Sequence, residues 1–377
     1  MDDKRARTLA APAALLAAAR ARNIAAVAAC YAEDAVAISP MFGEARGRDN
    51  IAATWLALFS TFIDVTVAST ADTMVDGNRV AVFASLSTID RLGWFGRAPT
   101  GGAISYRLVL IFTVVDGLIV RDERLYDSAG LIERLEKAQL DKELRTAGEV
   151  QRMLVPRTSR SGAFCEWNGH SVPCRAIGGD FFEFIELSAH EVGIVMGDVS
   201  GKGPAAALLA ALVQGIFAVE AATGDSPAAI LSRINRRLVA RQLEARFVTL
   251  VYAVLSADGQ LVYANAGHNP PALLSRDGLQ PLAGGGTILG AIESATFDET
   301  AVSMRTGDTL VIYTDGVTES RNPVGDEFGE ERLFARLLEG AAAPPAALMD
   351  AIFADVRAFT AGAEPVDDIT VTVTRFR

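Results

Sequence analysis

Four short segments in the second half of the chain place aspartate at the end of an apolar run. They are Gly178-Gly179-Asp180, Met196-Gly197-Asp198-Val199, Tyr313-Thr314-Asp315-Gly316 and Val366-Asp367-Asp368-Ile369-Thr370. In three of them the aspartate abuts glycine, which lets backbone and side-chain oxygens converge closely. Val-, Ile- or aromatic-rich stretches adjoin each one as strands would. Oxygen ligands of this kind suit hard cations such as Mg²⁺ and Mn²⁺, and two such ions sharing carboxylates can activate water against a phosphate ester. A single segment could equally hold an Asp that caps a turn, since Asp-Gly is a common turn pair. A metal site assembled from all four is the leading expectation.

Rival chemistries are removed by spacing. Gly197-Asp198-Val199-Ser200-Gly201-Lys202-Gly203 superficially suggests a phosphate-binding P-loop, yet only three residues separate Gly197 from Gly201, and Gly203 stands where Ser or Thr would meet Mg²⁺. Ser200 lacks the G-x-S-x-G order of a nucleophile elbow, and the three histidines, His170, His190 and His268, form no H-E-x-x-H helix.

The elements that must position these acids follow from composition and periodicity. A chain of 377 residues with 50% hydrophobic content exceeds one ordinary domain and can bury substantial cores. Net charge is −11, which offers no basic footprint for nucleic acid. Cys30, Cys165 and Cys174 are odd in number and lack C-x-x-C spacing, so neither a disulfide framework nor a zinc site is expected and a reducing cytoplasm fits. Lys4, Arg5 and Arg7 precede an Ala-Leu run, but Arg20 and Arg22 follow too soon for a signal peptide, so a first amphipathic helix is expected. Pro204 to Ala222 is interrupted by Gln214, Gly215 and Glu220 and reads as a buried helix, not a membrane span.

Residues 1–128 read as helices first and strands later. Leu15, Ala18 and Ala19, then Ile24, Val27 and Tyr31, have helical spacing, as do the apolar residues of Ile51 to Phe62. Val80 to Leu86, Ser105 to Val115 and Leu118 to Tyr126 read as strands separated by turns at Asp76-Gly77-Asn78 and Asp116-Gly117. Helices on a curved sheet give an α+β cone whose interior can hold a small-molecule ligand. Residues 129–155 form a helical linker with two shifted 4-3 registers, Leu131, Leu135 and Ala138, then Leu140, Leu144, Ala147 and Leu154, ended by Pro156. This is either a short coiled coil, which would make a homodimer, or one amphipathic helix packed on its own domain. In residues 156–377, Phe247 to Leu255 and Gly259 to Ala264 make a hairpin, and Pro204 to Ala222 and Pro227 to Leu243 a helix pair.

The wording of the acidic segments carries more than their chemistry. Arg175-Ala176-Ile177-Gly178-Gly179-Asp180-Phe181-Phe182, Gly197 to Gly203, Ala266-Gly267-His268-Asn269-Pro270-Pro271, Tyr313 to Glu319 and Asp367-Asp368-Ile369-Thr370 occur in one order. From Gln151 onward the chain resembles the PPM (PP2C-like) phosphatases, and within them the bacterial SpoIIE/RsbU-type serine/threonine phosphatases of partner-switching pathways. That resemblance implies an α/β/β/α sandwich with two Mn²⁺ or Mg²⁺ ions at one edge. It implies that Asp198 bridges both ions, Val199 offers its carbonyl, Asp180 holds the second ion, and Asp315 and Asp367 hold the first, with Asp368 beside them. It also implies a phosphate-binding role for Arg175, beside the alternative of a surface ion pair, and makes a phosphorylated STAS-type anti-sigma-factor antagonist the substrate, hydrolysed by direct attack of metal-activated water. His268 is expected to order its loop more than to donate a proton. Glu183 stands where Asp is frequent, which weakens the case for a third ion.

Tyr31-Ala32-Glu33-Asp34-Ala35-Val36, Gly47-Arg48-Asp49-Asn50-Ile51 and Glu123 to Ser128 look like the SnoaL-like members of the NTF2-like superfamily. No catalytic residue is carried over, because that superfamily hosts enzymes, binding domains and dimerisers alike. Two other readings stand beside the phosphatase: a non-catalytic scaffold of the same fold, and an N-terminal cyclase or isomerase with phosphatase activity as secondary output.

Overall fold

The computed structural model describes residues 3–62, 66–154, 159–242 and 246–377. Val155, Pro156 and Leu243, which bound expected elements, lie outside them. The chain divides into two compact units, Met1–Glu143 and Leu144–Arg377.

The first unit begins with α1 (Asp3–Arg20) and α2 (Ile24–Ala29), where Asn23 caps α2 by accepting from the Ala26 amide at 3.0 Å. There follow β1 (Tyr31–Ser39), β2 (Gly43–Arg46), α3 (Arg48–Thr61), β3 (Thr66–Asp76), β4 (Arg79–Ile89), β5 (Ala103–Val115) and β6 (Leu118–Leu125). One sheet results, in the order β2-β1-β6-β5-β4-β3, with β1 and β6 parallel and the other neighbours antiparallel. On β4 the alternate residues Val80, Val82, Ala84 and Leu86 are buried, so one face of the sheet is apolar. Leu15, Val27, Ile51 and Trp55 belong to the same core, and register breaks in β1 and β5 bend the sheet around it. Tyr31 corrects the sequence reading: it does not continue a helix but opens β1, where its buried hydroxyl donates to Asp122 at 2.7 Å. The strands therefore start before α3, not after it.

The division between the units falls inside α4 (Ser128–Leu154), whose first turn is capped by Asp127 accepting from the Gly130 amide at 2.8 Å. Leu131 and Leu135 are buried with Phe62, Trp94 and Ile104, whereas Leu140, Val150 and Met153 are exposed.

The second unit runs β7 (Ser159–Ser161), β8 (Cys165–Val172), β9 (Phe181–Ser188), β10 (Glu191–Val199), α5 (Pro204–Ala221), α6 (Pro227–Val239), β11 (Val248–Ser256) and β12 (Gln260–Ala266). It continues with β13 (Ala272–Ser275), β14 (Gly278–Pro281), β15 (Glu299–Ser303), β16 (Thr309–Tyr313), α7 (Asp315–Thr318), α8 (Gly329–Glu339), α9 (Pro345–Phe359) and β17 (Ile369–Phe376). Two antiparallel sheets form, β15-β12-β11-β10-β9 and β14-β13-β16-β17-β8-β7. Between them pack Trp167, Phe182, Ile194, Met196, Val251 and Ile312. The helices α5 and α6 cover the first sheet through Val213, Phe217, Ile230 and Ile234, and α8 and α9 cover the second through Leu333, Leu348 and Ile352. This is a four-layer α/β/β/α sandwich. Strand β10, next to the edge strand β9 of the first sheet, is buried on both faces, which is why its sequence is a nearly continuous apolar run. Among the described residues α5 alone is long and apolar enough to cross a bilayer; here Leu209, Val213 and Phe217 pack into the core of this unit.

Phe217 is fully buried and meets Tyr252 edge-on at 4.9 Å, whereas Leu208 on the same helix is 74% exposed. Phe217→Ala should cost about 3–5 kcal/mol in urea unfolding, as truncation of a buried aromatic does, and Leu208→Ala should stay within about 0.5 kcal/mol. Equal losses would contradict this placement of α5.

Candidate active site

Antiparallel pairing decides where the acids meet. Asp180 immediately precedes β9 and Asp198 lies at the end of β10, its hydrogen-bonded neighbour, so both stand at one end of the first sheet. Asp315 follows β16 and Asp367 and Asp368 precede β17, again adjacent strands, at one end of the second sheet. Side chains join the two ends. Thr314 and Thr370 both donate to Asp180 Oδ2, at 2.8 and 2.6 Å, and Thr370 accepts from Ser171 at 2.8 Å.

Asp368 is the clamp of this junction. Its Oδ1 accepts from the Cys174 amide at 2.7 Å and its Oδ2 from the amides of Gly179 and Asp180 at 2.6 and 3.3 Å. Charge-assisted bonds of this kind are the stronger ones. The fit requires glycine: a Cβ at Gly178 would stand 2.4 Å from Asp368 Oδ2, and one at Gly316 only 2.0 Å from the Asp368 carbonyl oxygen.

The remaining acids have fewer partners and feel one another. Burial first, then the charge of Asp315, pushes Asp198 up to about 6. Asp180 is raised well above the carboxylate range by burial and by Asp198, and Asp315 is raised by burial and by Asp367. Lys202 Nζ reaches Asp367 Oδ2 at 2.8 Å, and Cys174, Asp367 and Asp368 bring ligand atoms within 4.8 Å of one another. Val199 closes β10, buried, with its carbonyl oxygen 2.9 Å from the Cβ position of Gly179. A pocket of acidic oxygens whose protons are held this tightly fits a hard cation, which would relieve the mutual repulsion.

Arginines stand around the loop after β10. Arg175 is exposed, with Nη1 3.7 Å from the Cβ position of Gly203, and Arg246 Nη1 lies 3.3 Å from that of Gly201. Ser200 ties this loop to the start of β11, accepting from the Phe247 amide at 2.9 Å. His268 is buried, shares a 3.0 Å hydrogen bond through Nδ1 with Thr249, and is pushed down to about 4 by burial, so it is neutral. Its backbone amide and carbonyl are both held by the Asn265 side chain. Glu183 lies on β9 opposite Val195, its carboxyl raised by burial.

Sequence reasoning missed Lys202, Arg246 and the two threonines. Lys202 sits inside the segment weighed as a P-loop, and Thr314 and Thr370 sit inside two of the acidic words, so position was visible but partnership was not.

The raised acids give a pH signature. Because folded Asp198 binds its proton more tightly than an ordinary carboxyl of 3.8, its contribution is unfavourable above about pH 6 and is relieved as pH falls toward 3.8. In metal-free buffer at pH 8, Asp198→Asn should therefore raise Tm by a few degrees, and the gap should narrow as pH falls below about 6 and close only near pH 3.8. A variant less stable than the wild type at pH 8 would contradict this charge balance.

The stage II sporulation protein E (SpoIIE) family model matches residues 188–377, half of the chain, and a SnoaL-like domain model matches residues 13–122. The phosphoserine phosphatase RsbU of Bacillus subtilis is 28% identical over 190 residues, covering 50% of this chain and 56% of RsbU. Protein IcfG of a Synechocystis species is 27% identical over 261 residues, covering 61% of this chain and 40% of IcfG. The chain thus spans about half the length of these curated relatives. The PP2C domain of SiaA from Pseudomonas aeruginosa shares the fold, with TM-score 0.57 and 23% identity over 64% of this chain and 98% of that one. With a SnoaL-like domain ahead of a PP2C-like sandwich, the chain belongs to the SpoIIE family of PP2C-type phosphatases.

Proposed function

We propose that the second unit is a metal-dependent phosphoserine/phosphothreonine phosphatase acting on a folded phosphoprotein, with a STAS-type anti-sigma-factor antagonist as its substrate. The observation that carries this reading is the meeting of Asp180, Asp198, Asp315 and Asp367 at the ends of two packed sheets, their shifted members raised by burial and by each other. Two Mn²⁺ or Mg²⁺ ions bound there would lower the pKa of a shared water enough for in-line attack on phosphorus. Asp198 would serve both ions; Asp180 and the Val199 carbonyl would complete one coordination sphere, and Asp315 and Asp367 the other.

Asp368, with both carboxylate oxygens engaged by backbone amides, positions the Cys174–Asp180 loop beside this set. Arg175 holds the phosphate through its guanidinium, a geometry suited to two oxygens at once. Neutral His268 orders its turn. The first unit acts as a sensor or dimerisation module for the second.

Two variants test the reading. With Mn²⁺ and phosphorylated STAS protein, Asp198→Asn should lose turnover by several orders of magnitude while circular dichroism stays native; undiminished hydrolysis in metal-free buffer would refute it. Charged hydrogen bonds contribute roughly 1.5–3 kcal/mol, so Arg175→Ala should lower kcat/KM for the phosphoprotein about ten- to hundredfold. Unchanged kinetics would remove Arg175 from phosphate binding.

A further inference from the structure

The first unit encloses a cavity of about 330 Å³ between its helices and the concave face of its sheet. That volume is at the small end of the range for small-molecule sites, about 300–1,000 Å³. Its walls are mostly apolar, with Leu58, Phe59, Leu108, Leu110 and Tyr106 among them. Among the described residues, the charged ones lining it are Arg20, Arg22 and Arg124, and no carboxylate lines it.

Arg124 is the cation built into this cavity. Its side chain is 9% exposed, and Nε and Nη2 both donate to Asp122 Oδ2, at 3.2 and 2.9 Å. Tyr31 donates to the same oxygen and accepts from Trp55 Nε1 at 3.1 Å, while the Trp55 ring lies 4.3 Å from the Arg124 guanidinium carbon. Asp122 is fully buried and is not part of the lining, so the counter-ion is withheld from the cavity while the guanidinium takes part in its wall. A buried ion pair adds little stability over apolar residues of the same volume, because desolvation offsets the attraction. What this pair does supply is a cation fixed in one orientation against apolar walls, so that little ordering remains to be done when an anion arrives. Arg22 is differently employed: its Nη2 donates to the Phe59 carbonyl at 2.7 Å and to that of Phe62, and so braces the end of α3.

We propose that this cavity binds a small amphiphilic monocarboxylate, its apolar body against the leucine and aromatic walls and its carboxylate on Arg124. A cationic ligand would meet three arginines, and a neutral one would leave the part of the guanidinium that Asp122 does not reach without a charged acceptor. An aryl acid and a medium-chain alkyl acid share this chemistry.

The full chain should be titrated with 2-naphthoate, cinnamate and decanoate, each beside its own amide, by calorimetry and by intrinsic tryptophan fluorescence, to which Trp55 in the cavity wall contributes. At least one acid should bind one-to-one with a Kd tenfold or more below that of its amide. The stronger of the aryl and alkyl arms identifies the body. The double variant Arg124→Met/Asp122→Leu, which removes both charges so that neither is left buried alone, should abolish the preference for acid over amide. Leu108→Trp, which fills the cavity, should abolish binding of both. The proposal is overturned if no acid saturates, if acid and amide bind equally to the wild type, or if the folded double variant keeps the preference.

Discussion

Like charges crowded into a buried corner are the constraint on which the second unit turns. Asp180, Asp198 and Asp315 all hold protons more tightly than free carboxyls do, with burial the first cause and a neighbouring acid the next. Such a corner persists because the two sheets that carry it are locked by apolar packing and because neutral donors absorb part of the charge. Thr314 and Thr370 do this for Asp180, and three backbone amides do it for Asp368. The same bonds pull the start of β9 toward the start of β17, so what softens the repulsion also sets the geometry of the corner.

The sequence displayed the frame of this unit well. The β11–β12 hairpin and the α5–α6 pair followed from apolar periodicity, because local pattern alone decides them. The acidic words also located the residues that gather at the sheet ends. Which carboxylate is committed to backbone amides could not be read, since Asp367 and Asp368 are adjacent and differ only in what the Cys174–Asp180 loop offers them. The Lys202–Asp367 pair joins residues far apart in sequence, and nothing in either segment names the other.

In the first unit the misreading of Tyr31 has the same origin. Spacing after Asn23 is helical, but the residue is claimed by pairing with β6 and by a hydroxyl bond to Asp122, a contact across most of the domain. That contact belongs to the network fixing Arg124, so the element that periodicity placed wrongly is the one that shapes the cavity. Both units thus hold buried charge, and they resolve it in opposite ways. Asp122 has its cation within the fold, whereas under the proposed function the acids at the end of β10 take theirs from solution.

Proton release on cation binding tests that claim most directly. Metal-free chain titrated with Mn²⁺ at pH 6, in buffers of differing ionisation enthalpy, should bind two ions and release protons, because Asp198, raised to about 6, is half-protonated there. The released protons should diminish in Asp198→Asn. Saturable binding without proton release, or no binding at all, would contradict the account of these carboxylates as the ligands.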